Sequence, residues 1–287
     1  MRKLKVCLVA GALLFAATGC GDDDDSSDAA GGDEAAAEIV SIDVTATDYA
    51  FAVPASITGG TVEMNYENNG KEPHFAAFAK INDGKTFADA KAVLTAPADT
   101  PASGPPPFAE WAGSPTADPG GSGKMTFDLP AGTYALFCSI PAADGVSHAA
   151  KGMVTEVTVT AGETVEQPEA AGTVTAADFS LTAPPELEEG SNVVALKNDG
   201  KQLHEINLIE LPDGKTVDDV IAWFKAPNGP PPNKSLSGVA VAPGQTGTAT
   251  VNLTKGSTYA FICVIPDVLS DFAPHLFKGM ATGTFTV

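Results

Sequence analysis

Hydrophobic and polar positions alternate over short runs through most of this chain. Thr61-Val62-Glu63-Met64-Asn65-Tyr66 alternates as a half-buried strand does, and Val193-Val194-Ala195-Leu196 is its counterpart further along. Val44 and Ala46 begin a shorter run of the same kind. Tyr134 to Cys138 and Tyr259 to Cys263 are nearly continuous apolar runs, which predict buried strands. Val154 to Val159 and Ala281 to Val287 predict closing strands. Two stretches break the pattern. Thr86-x-x-Asp89 and Thr216-x-x-Asp219 are helix N-cap sequences with acidic first turns. The apolar residues that follow, Ala92, Val93 and Leu94 or Val220, Ile221, Trp223 and Phe224, are expected to pack on the sheets. The Pro-rich tract after each helix cannot join a central strand and predicts a loop. Trp111 and Trp223 read as packing anchors.

The second half of the chain repeats the first. Asp48-Tyr49-Ala50-Phe51 matches Asp178-Phe179-Ser180-Leu181, and Asn68-Asn69-Gly70-Lys71-Glu72-Pro73-His74 matches Asn198-Asp199-Gly200-Lys201-Gln202-Leu203-His204. Asp83-Gly84-Lys85-Thr86 matches Asp213-Gly214-Lys215-Thr216, and Lys151-Gly152-Met153 matches Lys278-Gly279-Met280. A period this long predicts duplicated domains rather than a solenoid. The expected boundaries are 39–162 for the first and 172–287 for the second, separated where Gly162, Pro168 and Gly172 interrupt the strand pattern.

All four histidines fall into this repeat. Each copy carries an upstream His after an Asn-x-Gly turn, then Cys-x9-His-x4-Met or Cys-x11-His-x4-Met. The first set is His74, Cys138, His148 and Met153; the second is His204, Cys263, His275 and Met280. A thiolate is a soft, strong donor, imidazole suits copper, and a distant thioether perturbs the metal weakly. Together they are the donor set of a type 1 copper site. Other readings stay open for each residue taken singly. A Cys ending an apolar strand serves as a buried hydrophobe, a Met fills core, and a Cys138–Cys263 disulfide is an option for an exported chain. Such a bridge needs the two Cα atoms within about 7 Å.

With these motifs both units resemble the cupredoxins, the plastocyanin and azurin superfamily. The resemblance implies two tandem Greek-key β-sandwich domains with one type 1-like copper each. It implies His74 and His204 as upstream ligands, Cys138 and Cys263 as thiolates, His148 and His275 as loop ligands, and Met153 and Met280 as axial ligands. Two departures stand out. Phe75 and Glu205 occupy the position after the upstream His, where many cupredoxins carry an Asn that braces the Cys loop. The long insertions that carry each short helix and Pro-rich loop are also atypical of the family, and the Cys-to-His loop, longer than in plastocyanin or azurin, is closer to the type 1 site of copper nitrite reductases. In cupredoxins an apolar patch around an exposed His edge is the docking surface. Here Ile140, Pro141, Val146 and Ala149 surround His148, and Ile265, Val268, Leu269, Phe272, Leu276 and Phe277 surround His275.

The N-terminus adds an address. Met1-Arg2-Lys3-Leu4-Lys5 precedes an apolar run from Val6 to Ala17, an export signal too short for a comfortable membrane span. Ala17-Thr18-Gly19-Cys20 resembles the lipobox of bacterial lipoproteins. That implies a signal peptide over 1–19 and a lipidated Cys20, which would anchor the chain to the membrane on the extracytoplasmic side of a bacterial envelope. Residues 20–38 are acidic, small and free of aromatics, and read as a disordered tether. The formal net charge of −20 repels nucleic acid and favours a cationic partner.

These features sort the function classes. Catalytic copper clusters are built mainly from additional His residues, and the two sets consume every His in the chain. No Ser-His-Asp set, phosphate-cradling Gly loop or zinc motif is present. The expectation is a non-enzyme with no catalytic residues: an envelope-anchored one-electron carrier with a redox or copper-exchange protein partner. Copper buffering or delivery is the alternative on the same ligands. A metal-free cupredoxin-like binding scaffold is the third reading.

Overall fold

The computed structural model describes residues 38–97, 107–182, 186–226, 228–267, 270 and 273–287. The first repeat contributes β1 (Val40–Thr47), β2 (Ala50–Ala52), β3 (Ser56–Thr58), β4 (Gly60–Asn68), β5 (His74–Ile81), helix α1 (Phe87–Leu94), β6 (Phe108–Ala117), β7 (Ser122–Leu129), β8 (Gly132–Phe137) and β9 (Val154–Thr160). The second contributes β10 (Gly172–Ala177), β11 (Ser180–Leu181), β12 (Gly190–Asn198), β13 (His204–Leu211), α2 (Val217–Lys225), β14 (Lys234–Val241), β15 (Thr246–Leu253), β16 (Thr258–Ile262), a 3-10 turn (His275–Lys278) and β17 (Phe285–Thr286).

These strands form a two-layer β-sandwich. One layer runs β11-β10-β12-β15-β7-β4-β1-β2 and the other β17-β16-β13-β14-β6-β5-β8-β9-β3. Both layers pass from one repeat into the other. The joint in the first is antiparallel β15–β7, with Met125 opposite Ala249, Thr126 opposite Thr248 and Lys124 opposite Thr250. Met125 and Ala249 are equivalent positions of the repeat, so the halves meet about a local two-fold. In the second layer β14 meets β6 at Ala240 and Gly113. Edge strands that each repeat would otherwise leave bare are thereby paired. The joint is tight: a Cβ on Gly123 would come within 2.9 Å of Ser237 and one on Gly247 within 3.2 Å of the Thr126 carbonyl. A single apolar core runs through both halves, from Ile42, Met64 and Phe127 to Val194, Val251 and Phe261. The segment between the repeats, where the boundary was expected, carries no strand or helix but is tied down. Thr61 donates to Glu163 through its amide and to Val165 through its hydroxyl, and Gln167 reaches the carbonyl of Thr246.

Alternation places the side chains as expected in β1, where Ile42, Val44 and Ala46 face inward, and in β4, where Val62, Met64 and Tyr66 do. Both helices carry the expected capping box, Thr86 with Asp89 and Thr216 with Asp219. Two details differ from the sequence expectation. Helix α1 packs through Phe87, Ala90 and Leu94, spaced three and four apart, while Ala92 is exposed and Val93 is 48% exposed. Residues three and four apart share a helical face, which the consecutive Ala92, Val93 and Leu94 cannot all do on so short a helix. The closing strand expected over 281–287 shortens to Phe285–Thr286. Ala281 keeps an isolated bridge to Ile262, and the Thr282 hydroxyl takes the Phe261 amide that a strand partner would have bonded. Gly283 follows, and glycine weakens a strand interior. Prolines 230–232 lie in a loop as expected, and Trp223 anchors it by donating from Nε1 to the Gly229 carbonyl at 3.1 Å.

Candidate metal centres

At one end of each repeat the strand endings converge. His74 opens β5, and Cys138 follows the last residue of β8. His148 returns on the loop that precedes β9. The structure brings His74, Cys138 and His148 into one cluster and His204, Cys263 and His275 into another, the donor atoms of each lying within 4.8 Å of one another. All six residues are fully buried. Both cysteines are free, so the disulfide alternative does not hold.

The loop is held shut by backbone bonds repeated in both copies. The amide of His148 donates to Ile140 and that of His275 to Ile265, each at 2.8 Å. The methionines are strapped across the same loop. Met153 donates to the His148 carbonyl and accepts from the Cys138 amide; Met280 does the same with His275 and Cys263. Both methionines are fully buried in the apolar cluster that holds the cysteines.

The upstream His is positioned by the Asn-x-Gly turn. Asn68 is buried, and its amide donates to the carbonyls of Glu72 and Ala117 while its oxygen accepts from the Gly70 amide. Asn198 makes the equivalent bonds to Gln202, Val241 and Gly200. The glycine of the turn is required by close approach. A Cβ on Gly70 would lie 2.5 Å from Asp48 Oδ1 and 2.7 Å from His74 Nε2, and one on Gly200 would meet Asp178 and His204 as closely.

The ring nitrogens carry the chemical information. In the first cluster the two Nδ1 atoms face each other at 2.9 Å, and Cys138 Sγ lies 3.5 Å from His148 Nδ1. The outward nitrogens are both committed to carboxylates: His74 Nε2 donates to Asp48 Oδ1 at 3.0 Å and His148 Nε2 to Glu72 Oε2 at 2.7 Å. Burial pushes the Asp48 carboxyl up, but bonds from His74 and the Lys71 and Glu72 amides outweigh it and hold the group below its ordinary value. It is therefore an acceptor at neutral pH, which fixes the His74 tautomer with its proton on Nε2. Burial also holds His148 below its ordinary value, opposing a second proton there. Two lone pairs and a sulfur thus point at a common centre. Burial pushes the Cys138 thiol up to about 12, so the thiol keeps its proton at neutral pH. A cation in exchange for that proton would satisfy all three donors, and histidines that hold metals characteristically give their other N–H to a carboxylate.

The second cluster has the same inner arrangement. His204 and His275 face each other through Nδ1 at 3.2 Å, Cys263 Sγ is 3.6 Å from His275 Nδ1, and His204 Nε2 donates to Asp178 Oδ1 at 3.1 Å. Burial raises the Cys263 thiol, the Glu205 charge adding to it, and burial lowers His275 to about 4. One feature differs: His275 Nε2 is buried and has no hydrogen-bond partner among the described residues.

The position after the upstream His behaves differently in the two copies. Glu205 takes over the bracing of the Cys loop, its Oε1 accepting from the Val264 amide at 2.9 Å. Phe75 braces by packing, its ring 5.7 Å from that of Phe137, and its amide points at Cys138 Sγ at 3.5 Å. The exposed imidazole edge that the resemblance implies is absent at both histidines. The Tyr49 ring covers His148 at 5.0 Å and the Phe179 ring covers His275 at 5.5 Å. A lysine lies over each cover, Lys151 on Tyr49 and Lys278 on Phe179. Around the first loop Val146 is 43% exposed. Around the second, Leu276 and Phe277 pack against the Ile209 cluster, while Val268, Leu269 and Phe272 lie outside the described residues. Cys20 and the leader lie outside them too.

Sequence reasoning missed Asp48, Asp178 and Glu72. The signal was present: Asp48 and Asp178 each stand 26 residues before their histidine and are retained in both copies of the repeat.

Among solved structures the chain is similar to dithionite-reduced auracyanin from the photosynthetic bacterium Roseiflexus castenholzii, at 24% identity over 42% of this chain and 97% of that one, with a TM-score of 0.28. It is also similar to auracyanin A, a "blue" copper protein from Chloroflexus aurantiacus, at 21% identity over 43% of this chain and 100% of that one, TM-score 0.29. A third is copper nitrite reductase from Nitrosomonas europaea, at 14% identity over 87% of this chain and 94% of that one, TM-score 0.25. No family model and no curated protein matches the chain. The chemistry of the two clusters is accordingly carried by their own side chains.

Proposed function

We propose that this chain binds copper at two type 1-like sites and passes single electrons through them. The ligands are His74, Cys138, His148 and Met153 at one site and His204, Cys263, His275 and Met280 at the other. The observation that carries the reading is the convergence in each cluster of two Nδ1 atoms and a buried cysteine sulfur, with three of the four outer imidazole nitrogens given to carboxylates. Bound copper supplies one-electron chemistry by cycling between Cu(I) and Cu(II) on a donor set that suits both. The protein's part is to hold the donors still. The Asn68 turn, the Asp48 bond and the loop bonds at His148 and Cys138 fix them without help from a metal, so little has to move when the charge at the centre changes. Every His in the chain belongs to one of these two sets, which is why we place it with carriers rather than with copper oxidases or reductases.

A second reading, copper retention or delivery, is favoured by the burial of His148 and His275 beneath Tyr49 and Phe179. Covered ligands slow both metal exchange and close approach of a redox partner. A reversible midpoint potential with rapid electron self-exchange supports the carrier; tight Cu(I) retention with slow self-exchange supports the store. Adding Cu(II) to the purified chain tests both. An intense thiolate-to-copper charge-transfer band is expected, and its absence together with no bound copper sinks both. In the same proposal Cys20 is the lipid attachment point. Cys20→Ala should then move the protein from the membrane fraction to the soluble one, and an unchanged distribution overturns the anchor.

A further inference from the structure

The two centres share an inner arrangement but differ in what stands behind the loop histidine. In the first repeat Glu72 clasps it. Oε2 accepts from His148 Nε2 at 2.7 Å and Oε1 accepts from the Tyr49 hydroxyl at 3.3 Å. In the second repeat Gln202 and Phe179 occupy these two positions. The aromatic cover and its lysine survive, but the polar clasp does not. His275 Nε2 and Gln202 Oε1 are both buried, and among the described residues neither has a hydrogen-bond partner. The upstream histidines do not differ in this way, since Asp48 and Asp178 serve both alike.

Behind the cysteine the asymmetry is reversed. Glu205 stands in the second repeat where Phe75 stands in the first, and bonds the Val264 amide next to Cys263. Each centre therefore has one carboxylate its twin lacks, placed on the imidazole side in the first and on the sulfur side in the second.

We propose that Glu72 is a positioning residue that makes the first-repeat centre the tighter Cu(II) site, so that the two centres fill in order. This rests on the copper reading above. A carboxylate bonded to the outer N–H locks the ring and strengthens Nδ1 as a donor, and removing such a partner commonly costs 10–100-fold in metal affinity. His275 has no such partner. Beyond its Nδ1 contacts to His204 and Cys263, its ring is held by packing.

The test titrates Cu(II) alone into the full chain, with single centres isolated by Cys263→Ser or Cys138→Ser. Glu72→Gln in the Cys263→Ser chain should weaken Cu(II) binding on the order of 10–100-fold. It should also raise the midpoint potential of the first centre, because Cu(II) loses more than Cu(I) does. The same substitution in the Cys138→Ser chain should leave the second centre unchanged. Gln202→Glu with Phe179→Tyr rebuilds the clasp there and should tighten the second centre. That gain cannot arise from a folding defect. A Glu72→Gln centre within twofold of its parent in affinity, with its potential unmoved, overturns the proposal while leaving the copper reading standing. Copper binding by neither parent centre overturns both.

Discussion

Gly70→Ala puts one methyl group where the structure has no room for it. The added carbon would sit 2.5 Å from Asp48 Oδ1, 2.7 Å from His74 Nε2 and 3.0 Å from His74 Cδ2. Ordinary contacts to carbon are about 3.5 Å or longer, so the Asp48–His74 pair must shift by roughly 1 Å. That pair is the 3.0 Å bond that fixes the His74 tautomer and aims its Nδ1. Overpacking of this kind costs about 1–3 kcal/mol of folding stability. Misdirecting an outer partner of a ligand adds about 10–100-fold in metal affinity. The assay is a competitive Cu(II) titration in a Cys263→Ser chain, so that only the first centre reports, with urea unfolding of the metal-free protein alongside. Gly283→Ala is the control: nothing lies within 4 Å of its added carbon, and the expected change is within about 0.5 kcal/mol. If Gly70→Ala binds copper within twofold of its parent and unfolds at the same urea concentration, the Asp48 brace does not set the geometry of the centre.

Other outcomes follow from the same geometry. His275 is held at about 4 against an ordinary 6.5, so the unfolded chain binds the extra proton first as pH falls. The metal-free protein should lose stability between pH 6.5 and 4, on the order of 3 kcal/mol from this group, read as a falling urea midpoint; a flat profile there refutes it. Cys138, held at about 12 against an ordinary 9.0, acts at the other end, and stability should fall again as pH rises above 9. Because both thiols keep their protons at neutral pH, copper uptake should release one proton per centre, and the apparent affinity should rise about tenfold per pH unit between 7 and 9. Thr216→Ala removes the cap of α2 and should cost about 1 kcal/mol, seen as a lower thermal midpoint with copper binding retained.

Much of this was legible in the sequence because it depends on local periodicity and on rare residue types. Alternation in β1 and β4 names its own inward face, and Thr86-x-x-Asp89 names its own helix start. The six donors were legible because histidines and late cysteines are few and recur in the same order in both copies. What was not legible depends on packing across distant segments. Nothing local to Asp48 says that its carboxylate will reach a ring 26 residues on, or that Glu72 will reach His148 across the mouth of the centre. The apolar residues beside His148 and His275 matched a docking patch in composition, yet Tyr49 and Phe179, from the far end of each repeat, close over the rings instead. The joining of both layers across the repeats was equally hidden. It depends on strand edges such as β7 and β15 finding each other, and on Gly123 and Gly247 leaving space for that approach.

The central claim is that two buried His-Cys-His clusters in one chain are two copper centres. Its most direct test is metal stoichiometry with the charge-transfer band, measured on the parent chain, on Cys138→Ser and Cys263→Ser singly, and on the double variant. The account predicts that each single substitution removes one tightly held copper and its share of the band, and that the double variant keeps neither. Copper retained in full by the double variant, or a parent chain that binds none, would contradict it.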